Sequence, residues 1–223
     1  MRWSQGVAAG AAVLGLVVLT ACSDSEPKSS PSPGTSSGPS SATTPSTEPI
    51  PTASTPTLTP LPTPSKPWPT PKVTGEPESD APLAERITFA IAKQAQVTAG
   101  KAAKTSVNCP GISKVESPGQ HELTCTVTYA GKPYTGTLTV DAKQYTASYK
   151  FTSASVAIVK AKVLDAVLRT ATDAAKVTCT MDDVAVVKHS GEPIACDVTT
   201  TANAVQPYKA QVSGNGQVLV TKA

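Results

Sequence analysis

Four cysteines in two similar contexts place the tightest limit on how this chain can fold. Cys109 ends the step Ser106-Val107-Asn108-Cys109, and Cys179 ends the step Lys176-Val177-Thr178-Cys179. A second cysteine follows 16 positions later at Cys125 and 17 positions later at Cys196. A helical pattern precedes each pair, so the sequence predicts an internal repeat with halves at 83–152 and 153–223.

Helix and strand periodicities recur in the same order in both halves. The predicted helices begin at Leu83 and Val156, with Asp80 and Ser155 as their N-caps. The predicted apolar stripe of the first helix is Leu83, Ile87, Ala90 and Ile91. Period-2 alternation predicts a half-buried antiparallel strand around each second cysteine. Its inward residues are Leu123, Cys125, Val127 and Tyr129 in the first half and Ile194, Cys196 and Val198 in the second. The predicted fold class is α+β, with two tandem repeats that each pack a helix on a three- or four-stranded antiparallel sheet with one disulfide.

Shorter matches extend the comparison of the halves toward their C-terminal ends. The stretch that begins at Tyr134 matches the one that begins at Tyr208, and residues 202–207 are predicted to form the turn before Tyr208. A final strand is predicted over 145–151 in the first half and over 217–221 in the second. Each half is therefore predicted to be a meander covered by a helix.

The four cysteines permit three pairings, and the repeat selects one of them. Cys109 pairs with Cys125 and Cys179 pairs with Cys196, each closing a loop that stabilises the fold by roughly 3 kcal/mol in the chain-entropy model. The alternative is a metal site. The spacing is too wide for a CxxC motif, and neither histidine of the chain falls at ligand spacing with a cysteine pair. We therefore predict two disulfides, no metal site and no cofactor.

A short apolar run near the start of the chain ends at a fifth cysteine. The run from Val7 to Leu19 suits the h-region of a signal peptide, because a membrane-spanning helix needs about 20 residues. Leu19-Thr20-Ala21-Cys22 resembles a bacterial lipobox. The resemblance implies a lipoprotein signal peptide over 1–21 and acylation of Cys22, by chains such as palmitate, that anchors the protein on the extracytoplasmic face of the cell membrane. The alternative is an ordinary signal peptide cut near Ala21.

Residues 22–82 have the composition of a stalk. The stretch 23–82 holds 16 of the 21 prolines and 24 serines or threonines. Such a segment buries too little apolar surface to offset its chain entropy, so we predict a lipid-anchored, disordered linker. Its one tryptophan, Trp68, is predicted to be exposed, with a docking role as the alternative.

The motifs around the first cysteine pair resemble a known kind of domain. They are Val107-Asn108-Cys109-Pro110, then Gly119, then Thr124-Cys125-Thr126-Val127, followed by a glycine turn and a further strand. This pattern resembles a small disulfide domain of unknown function that is common in actinobacterial lipoproteins and membrane proteins. The resemblance covers about 83–223 in two copies, although Thr180 replaces the proline in the second. It implies a fold and an envelope location, but no activity and no catalytic residues.

No motif predicts a catalytic site. His121 and His189 are predicted to be exposed turn residues, and the adjacent Asp182 and Asp183 would point to opposite faces of a strand. The folded part carries 15 Lys or Arg against ten Asp or Glu, scattered along the chain, which predicts no nucleic-acid partner. We therefore predict that the protein is not an enzyme.

These patterns favour a membrane-anchored, non-catalytic module that binds an envelope protein or a cell-wall component. The alternative is a protein inhibitor of an extracytoplasmic enzyme, because the predicted tandem architecture looks like that of secreted β-lactamase-inhibitory proteins, which use an aromatic-rich surface. Aromatic residues concentrate in the first half, where we predict core and cross-strand packing, with an exposed binding face as the alternative. They are Tyr129, Tyr134, Tyr145, Tyr149 and Phe151.

Overall fold

The computed structural model describes residues 57–223. The predicted signal peptide, Cys22 and the stalk as far as residue 56 lie outside the described residues and stay predictions. The helices and strands in chain order are α1 (Leu83–Ala99), β1 (Thr105–Asn108), a 3₁₀ helix (Ile112–Glu116), β2 (Gly119–Tyr129), β3 (Lys132–Ala142), β4 (Ala147–Thr152), β5 (Ser155–Val159), α2 (Lys160–Thr170), β6 (Ala174–Cys179), β7 (Val184–Lys188), β8 (Ile194–Thr200), β9 (Val205–Val212) and β10 (Val218–Lys222).

The described chain contains two four-stranded antiparallel sheets and a two-stranded sheet of β5 and β7. The first has the strand order β1-β2-β3-β4, and the second has the order β10-β9-β8-β6. Helix α1 contacts β1 and β2 of the first sheet, and α2 contacts β6 and β10 of the second. The predicted α+β class with antiparallel sheets is confirmed.

Both predicted disulfides are present. Cys109 follows β1 directly and bonds to Cys125 on β2, with 4.2 Å between the Cα atoms. Cys179 lies opposite Cys196 in the register of β6 and β8, with 4.0 Å between the Cα atoms. All four cysteines are buried. Each bridge therefore joins neighbouring strands on the inner face of its sheet.

The predicted alternation around the second cysteine of each pair is confirmed by burial. On β2, the residues from Cys125 onward alternate between buried and partly exposed positions, and β8 shows the same pattern. The buried set is Cys125, Val127 and Tyr129 on β2 and Ile194, Cys196, Val198 and Thr200 on β8. One face of each strand therefore contributes to the core, as a period of two requires.

The predicted N-cap of α1 is wrong. The helix begins after Pro82, and no side chain of the N-cap residue bonds to the first turn. Instead the carboxylate of Glu116, at the end of the 3₁₀ helix, accepts the N–H of Ala84 at 2.8 Å. Because a carboxylate that is distant in sequence satisfies this N–H, the local pattern around Asp80 did not reveal the cap.

The predicted start of the second helix is also wrong. Residues 155–159 form strand β5, which pairs with β7, and α2 begins only at Lys160. The run Val-Ala-Ile-Val is apolar at every position and rich in β-branched residues, so it fits a strand that is buried on both faces. Ala157 and Val159 belong to the core under the first sheet, whereas Val156 and Ile158 belong to the core under the second.

The alignment of β9 with β8 differs from the one predicted by matching Tyr208 of the second half to Tyr134 of the first. Tyr208 lies opposite Cys196, whereas the residue opposite Cys125 is Gly136 rather than Tyr134. Strand β9 already begins at Val205, so the predicted turn over 202–207 is too long. Pro207 occupies a position within β9, opposite Asp197.

Residues 57–82 contain no helix or strand, yet they lie along the folded part. The N–H of Leu58 donates to the carbonyl of Thr201 at 3.0 Å, and that of Leu61 donates to the carbonyl of Ala174 at 2.7 Å. Farther along, the indole N–H of Trp68 donates to the carbonyl of Gly100 at 2.8 Å. We call this segment the strap. Trp68 is half-buried and packs against the first core, so the prediction of an exposed side chain is wrong.

Candidate functional site

The five tyrosines divide into a buried group and an exposed group. Tyr129, Tyr134 and Tyr208 are buried in the cores. Burial raises the pKa of Tyr134 to about 12 and also raises the pKa of Tyr129. Tyr145 is 88% exposed and Tyr149 is 46% exposed. The prediction of core packing is therefore right for the first two tyrosines of the first sheet and wrong for Tyr145 and Tyr149.

The two exposed tyrosines lie at one end of the first sheet. Tyr145 lies in the turn between β3 and β4, which is closed by a hydrogen bond from the N–H of Lys143 to the carbonyl of Thr146 at 2.7 Å. The strand predicted over 145–151 therefore begins two residues late, at Ala147. Tyr149 lies opposite Val140, a buried residue on the inner face of β3. Its ring is consequently on the side of the sheet that carries α1.

Helix α1 contributes a third aromatic residue and two cations to the same place. Arg86, Phe89 and Lys93 are spaced by three and four positions, so they share one face of the helix. None of the three was predicted to have a role. The sequence does single out Phe89, because this residue lies outside the predicted apolar stripe of the helix. An aromatic residue on the polar face of a helix does not pack into the core.

These residues line a depression of about 590 Å³ between α1 and the β3–β4 turn. We call it the tyrosine groove and define it by the side chains of Glu76, Arg86, Phe89, Lys93, Tyr145 and Tyr149. Glu76 comes from the strap, so three separate parts of the chain build the groove. A second depression of about 530 Å³ shares Tyr149 and is lined mainly by polar residues of β2, β3 and β4. Its polar residues alternate along the strands with His121, Val140 and Tyr149, so they lie on the face of the sheet opposite the ring of Tyr149.

The charges of the tyrosine groove are of both signs. Lys93 Nζ lies 3.3 Å from a carboxylate oxygen of Glu76 and 5.9 Å from the centre of the Phe89 ring. Both charged side chains are largely exposed, so this ion pair contributes little to stability and is free to exchange partners. Arg86 is exposed and forms no ion pair with another residue between 57 and 223.

Each histidine bonds to a backbone carbonyl through its ring. His121 Nε2 lies 2.9 Å from the carbonyl oxygen of Ser117, and His189 Nε2 lies 3.1 Å from that of Ser153. Both rings bond to the backbone and are half-buried, so the predicted exposure is wrong, although His189 does lie in the predicted turn between Lys188 and Gly191. His121 lies within β2 and lines the second depression.

The adjacent acidic residues Asp182 and Asp183 are both exposed. Asp182 makes an exposed ion pair with Lys132, at 3.0 Å, and the backbone carbonyl of Asp183 accepts the N–H of Lys160 at 2.9 Å. Within residues 57–223, no group of three or more His, Cys, Asp or Glu is arranged to hold a metal ion. The described helices also include none that is long and apolar enough to cross a membrane.

Comparison with known proteins gave no relative. No family model matches the chain. No curated protein and no solved structure matches it either. The lining of the tyrosine groove combines aromatic surface with charged side chains of both signs, in a shallow, open depression.

Proposed function

We propose that this protein is a lipid-anchored, extracytoplasmic binding module of the cell envelope, and that it binds its partner through the tyrosine groove without catalysing a reaction. One observation carries the proposal: the only two exposed tyrosines of residues 57–223 line the same groove. Exposed tyrosines give up little conformational entropy on binding and supply both apolar area and a polar tip. Their concentration at one place favours recognition over chance exposure.

Capture from envelope extracts tests this function. The full chain is immobilised through a C-terminal tag, and material retained by the wild type is compared with that retained by Tyr145→Ala and Leu219→Ala. Leu219 is 67% exposed on β10, outside the groove, so it controls for the loss of an exposed apolar side chain. We expect Tyr145→Ala to lose the retained material and Leu219→Ala to keep it. Equal retention by all three proteins would contradict the proposal.

The membrane anchor in this proposal rests on Cys22 and the lipobox. Two or three acyl chains anchor a protein stably, because each buried CH₂ contributes about 0.8 kcal/mol. Intact mass of the detergent-extracted protein should show the acyl groups on a chain that begins at Cys22, and Cys22→Ala should abolish that mass. An unmodified mass for the wild type would contradict the lipid anchor.

We also propose that the two halves are copies of one α+β repeat, as the resemblance to actinobacterial disulfide domains implies. Three features support this. In both halves the chain forms a helix, then an edge strand, then a meander, in that order. Both sheets have four antiparallel strands, and both disulfides join the edge strand to its neighbour. The segments between the cysteines differ, since one contains the 3₁₀ helix and the other contains β7. The second copy would then have gained β5 and β7 as an additional layer.

An inhibitor of an extracytoplasmic enzyme is the second candidate function. The observation that favours it is the position of Tyr145 on a turn between two strands, where its side chain is 88% exposed and free to enter a cleft of another protein. The same capture experiment separates the candidates. An inhibitor should retain one enzyme at a one-to-one ratio and reduce its activity, whereas an envelope module should leave the activity of retained proteins unchanged.

A further inference from the structure

Strand β4 is an edge of the first sheet, and it lies beside the tyrosine groove. The N–H of Lys143 donates to the carbonyl of Thr146 at 2.7 Å, which fixes the bonding pattern of the β3–β4 ladder. Bonded and non-bonded pairs alternate along an antiparallel ladder, so every second residue of β4 bonds to β3: Ser148, Lys150 and Thr152. The residues between them direct their N–H and carbonyl groups away from β3; they are Ala147, Tyr149 and Phe151.

These outward backbone groups are open to another chain. Within residues 57–223, no hydrogen bond reaches the N–H or carbonyl groups of Ala147, Tyr149 or Phe151. The strand also has few of the features that protect an edge from pairing. Its register with β3 is regular, it contains no proline, and its one charged residue is Lys150. The edge of β4 therefore offers donors and acceptors at the spacing of a β-strand.

The other three sheet edges differ from β4. Strand β1 has only four residues. Strand β6 has a register shift, and the carbonyl of Ala174 at its start accepts the N–H of Leu61 in the strap. Strand β10 is regular, but the cations beside it are engaged, because Arg169 pairs with Asp165 and Lys162 donates to the backbone of α1. Strand β4 is thus the regular edge that has an unpaired cation, Arg86, beside it.

An antiparallel strand added to β4 would place every second side chain in the tyrosine groove. Residues that lie directly opposite each other in such a pair project their side chains to the same face. The residues that bond to Ala147, Tyr149 and Phe151 would therefore point to the side that carries the ring of Tyr149. Neighbouring strands are about 4.8 Å apart, so these side chains would contact that ring.

Charge limits the chemistry of the side chains that enter the groove. Lys93 is paired with Glu76 at 3.3 Å, which leaves Arg86 without an ion pair in residues 57–223. Glu116 lines a smaller depression together with Arg86, but it already accepts an N–H of α1. A guanidinium binds a carboxylate through two parallel hydrogen bonds. The groove therefore favours a carboxylate at one position of the added strand and apolar side chains beside the two exposed tyrosines.

We propose that β4 and the tyrosine groove bind an extended segment of an envelope protein as a fifth, antiparallel strand, with a carboxylate side chain facing Arg86. This names the partner of the proposed binding function and rests on it. The backbone of the segment bonds to Ala147, Tyr149 and Phe151. The groove-facing residues next to the carboxylate are apolar and pack on Tyr145 and Tyr149. The remaining side chains of the segment extend the outer, polar face of the sheet.

The test uses the full chain, purified in detergent, on an array of heptapeptides that alternate threonine with a variable residue (Val, Tyr, Glu or Lys). We expect retention of peptides that carry Glu at one variable position and Val or Tyr at the others. Peptides with Lys in place of that Glu should not be retained. Because the groove-facing residues are those that bond to β4, N-methylation of the variable residues should abolish retention, whereas N-methylation of the threonines should leave it unchanged.

Two proline substitutions form a matched pair on the protein. Ala147→Pro removes an outward N–H of β4 without removing a bond to β3, and Lys222→Pro removes an outward N–H at the edge of β10. We expect Ala147→Pro to weaken retention by about tenfold or more and Lys222→Pro to leave it unchanged. Arg86→Gln should weaken retention of the Glu peptides by about tenfold. Circular dichroism and the absence of free thiols verify that each variant is folded.

Two results would overturn the strand arrangement itself. Retention that survives N-methylation of the variable residues would mean that the peptides bind without joining the sheet. A wild-type dimer in analytical ultracentrifugation that Ala147→Pro dissociates would mean that β4 pairs with a second copy of this chain. Equal retention of the Glu and Lys peptides would remove the carboxylate from the proposal.

The capture experiment separates this inference from the proposed function. Retention of no peptide, while Tyr145→Ala still abolishes capture of envelope material, would mean that strand addition is wrong and that the binding function stands. Retention of no peptide and no effect of Tyr145→Ala on any capture would remove both the strand addition and the proposed binding function.

Discussion

The C-terminal end of α1 is held by residues that are far apart in the sequence. Lys162 of α2 donates to the carbonyl of Thr98 at 2.9 Å, and Trp68 of the strap donates to the carbonyl of Gly100 at 2.8 Å. Burial at this position lowers the pKa of Lys162. The backbone of Gly216, in the turn between β9 and β10, also packs directly against Thr98. The last turn of one helix thus joins the strap to both halves.

Gly216 is predicted to tolerate no side chain. Its φ is +79°, and a Cβ at this position would overlap the carbonyl oxygen of Thr98, which is backbone and cannot move aside. Gly131 is a matched control, because its φ is +81° and a Cβ there would meet no atom within 4 Å. We expect Gly131→Ala to lower the free energy of unfolding by about 1–2 kcal/mol, because alanine is strained at a positive φ. Gly216→Ala should lower it clearly more. If urea unfolding showed the same loss of unfolding free energy for both variants, the close approach of Gly216 to Thr98 would make no contribution to stability.

Trp68 is predicted to anchor the strap. Trp68→Ala removes the packing against the first core and the hydrogen bond to Gly100. We therefore expect it to lower the free energy of unfolding by about 1–3 kcal/mol. Trp68→Phe keeps aromatic packing but removes the N–H donor, so its loss should be smaller. The chain has two tryptophans, and Trp3 lies in the predicted signal peptide, so fluorescence of the processed protein reports on Trp68. A wild-type emission maximum typical of a fully hydrated indole would contradict docking of the strap.

Strand β5 belongs to two cores at once. Its successive residues are buried on opposite faces, with Val159 5% exposed and Ile158 fully buried. A strand in one sheet with a helix on one side would have a polar face, whereas β5 has none. The β5–β7 pair therefore acts as a layer between the first core and the second.

Two neighbouring substitutions on β5 test this arrangement. Ile158→Ala should lose about 2–5 kcal/mol and perturb methyl NMR signals of the second core, such as those of Val163 and Val198. Val159→Ala should lose less, because it removes fewer atoms, and should perturb signals of the first core, such as those of Val127 and Leu138. Perturbation of the same methyl groups by both substitutions would contradict a strand that is buried on two opposite faces.

The folded part as a whole should unfold in one step. The two cores share β5, and the last turn of α1 contacts α2, the strap and the β9–β10 turn. Neither core can therefore open without exposing apolar surface of the other. This coupling makes a single cooperative transition the expected behaviour, although 153–223 was predicted to be a separate repeat.

Calorimetry of the oxidised protein checks this expectation. Val127→Ala in the first core and Val163→Ala in the second should each lose about 1–3 kcal/mol, because both side chains are fully buried. Each should lower the midpoint of the same transition by about 2–4 °C per kcal/mol. Two resolved transitions, with each substitution moving only one of them, would mean that the halves are independent domains.

The features that could be predicted from the sequence are those encoded by near neighbours. The alternation of Cys125, Val127 and Tyr129 indicated a half-buried strand, and the structure contains it because burial of one face requires a period of two. The paired cysteines indicated both disulfides, since each pair lies on adjacent strands. The stripe of Ile87 and Ile91 indicated α1, and both residues are buried in the first core.

Tertiary structure decided the features that depend on distant partners. The run at 155–159 is apolar at every position, so periodicity cannot separate a helix from a buried strand, and the presence of β7 selects the strand. The strap has the composition of a disordered linker, and only its contacts with Gly100, Ala174 and Thr201 place it on the fold. The groove joins Phe89 of α1 to Tyr145 of a distant turn. Local sequence determined which faces are apolar, whereas three-dimensional packing determined which apolar faces are covered and which aromatic rings remain exposed.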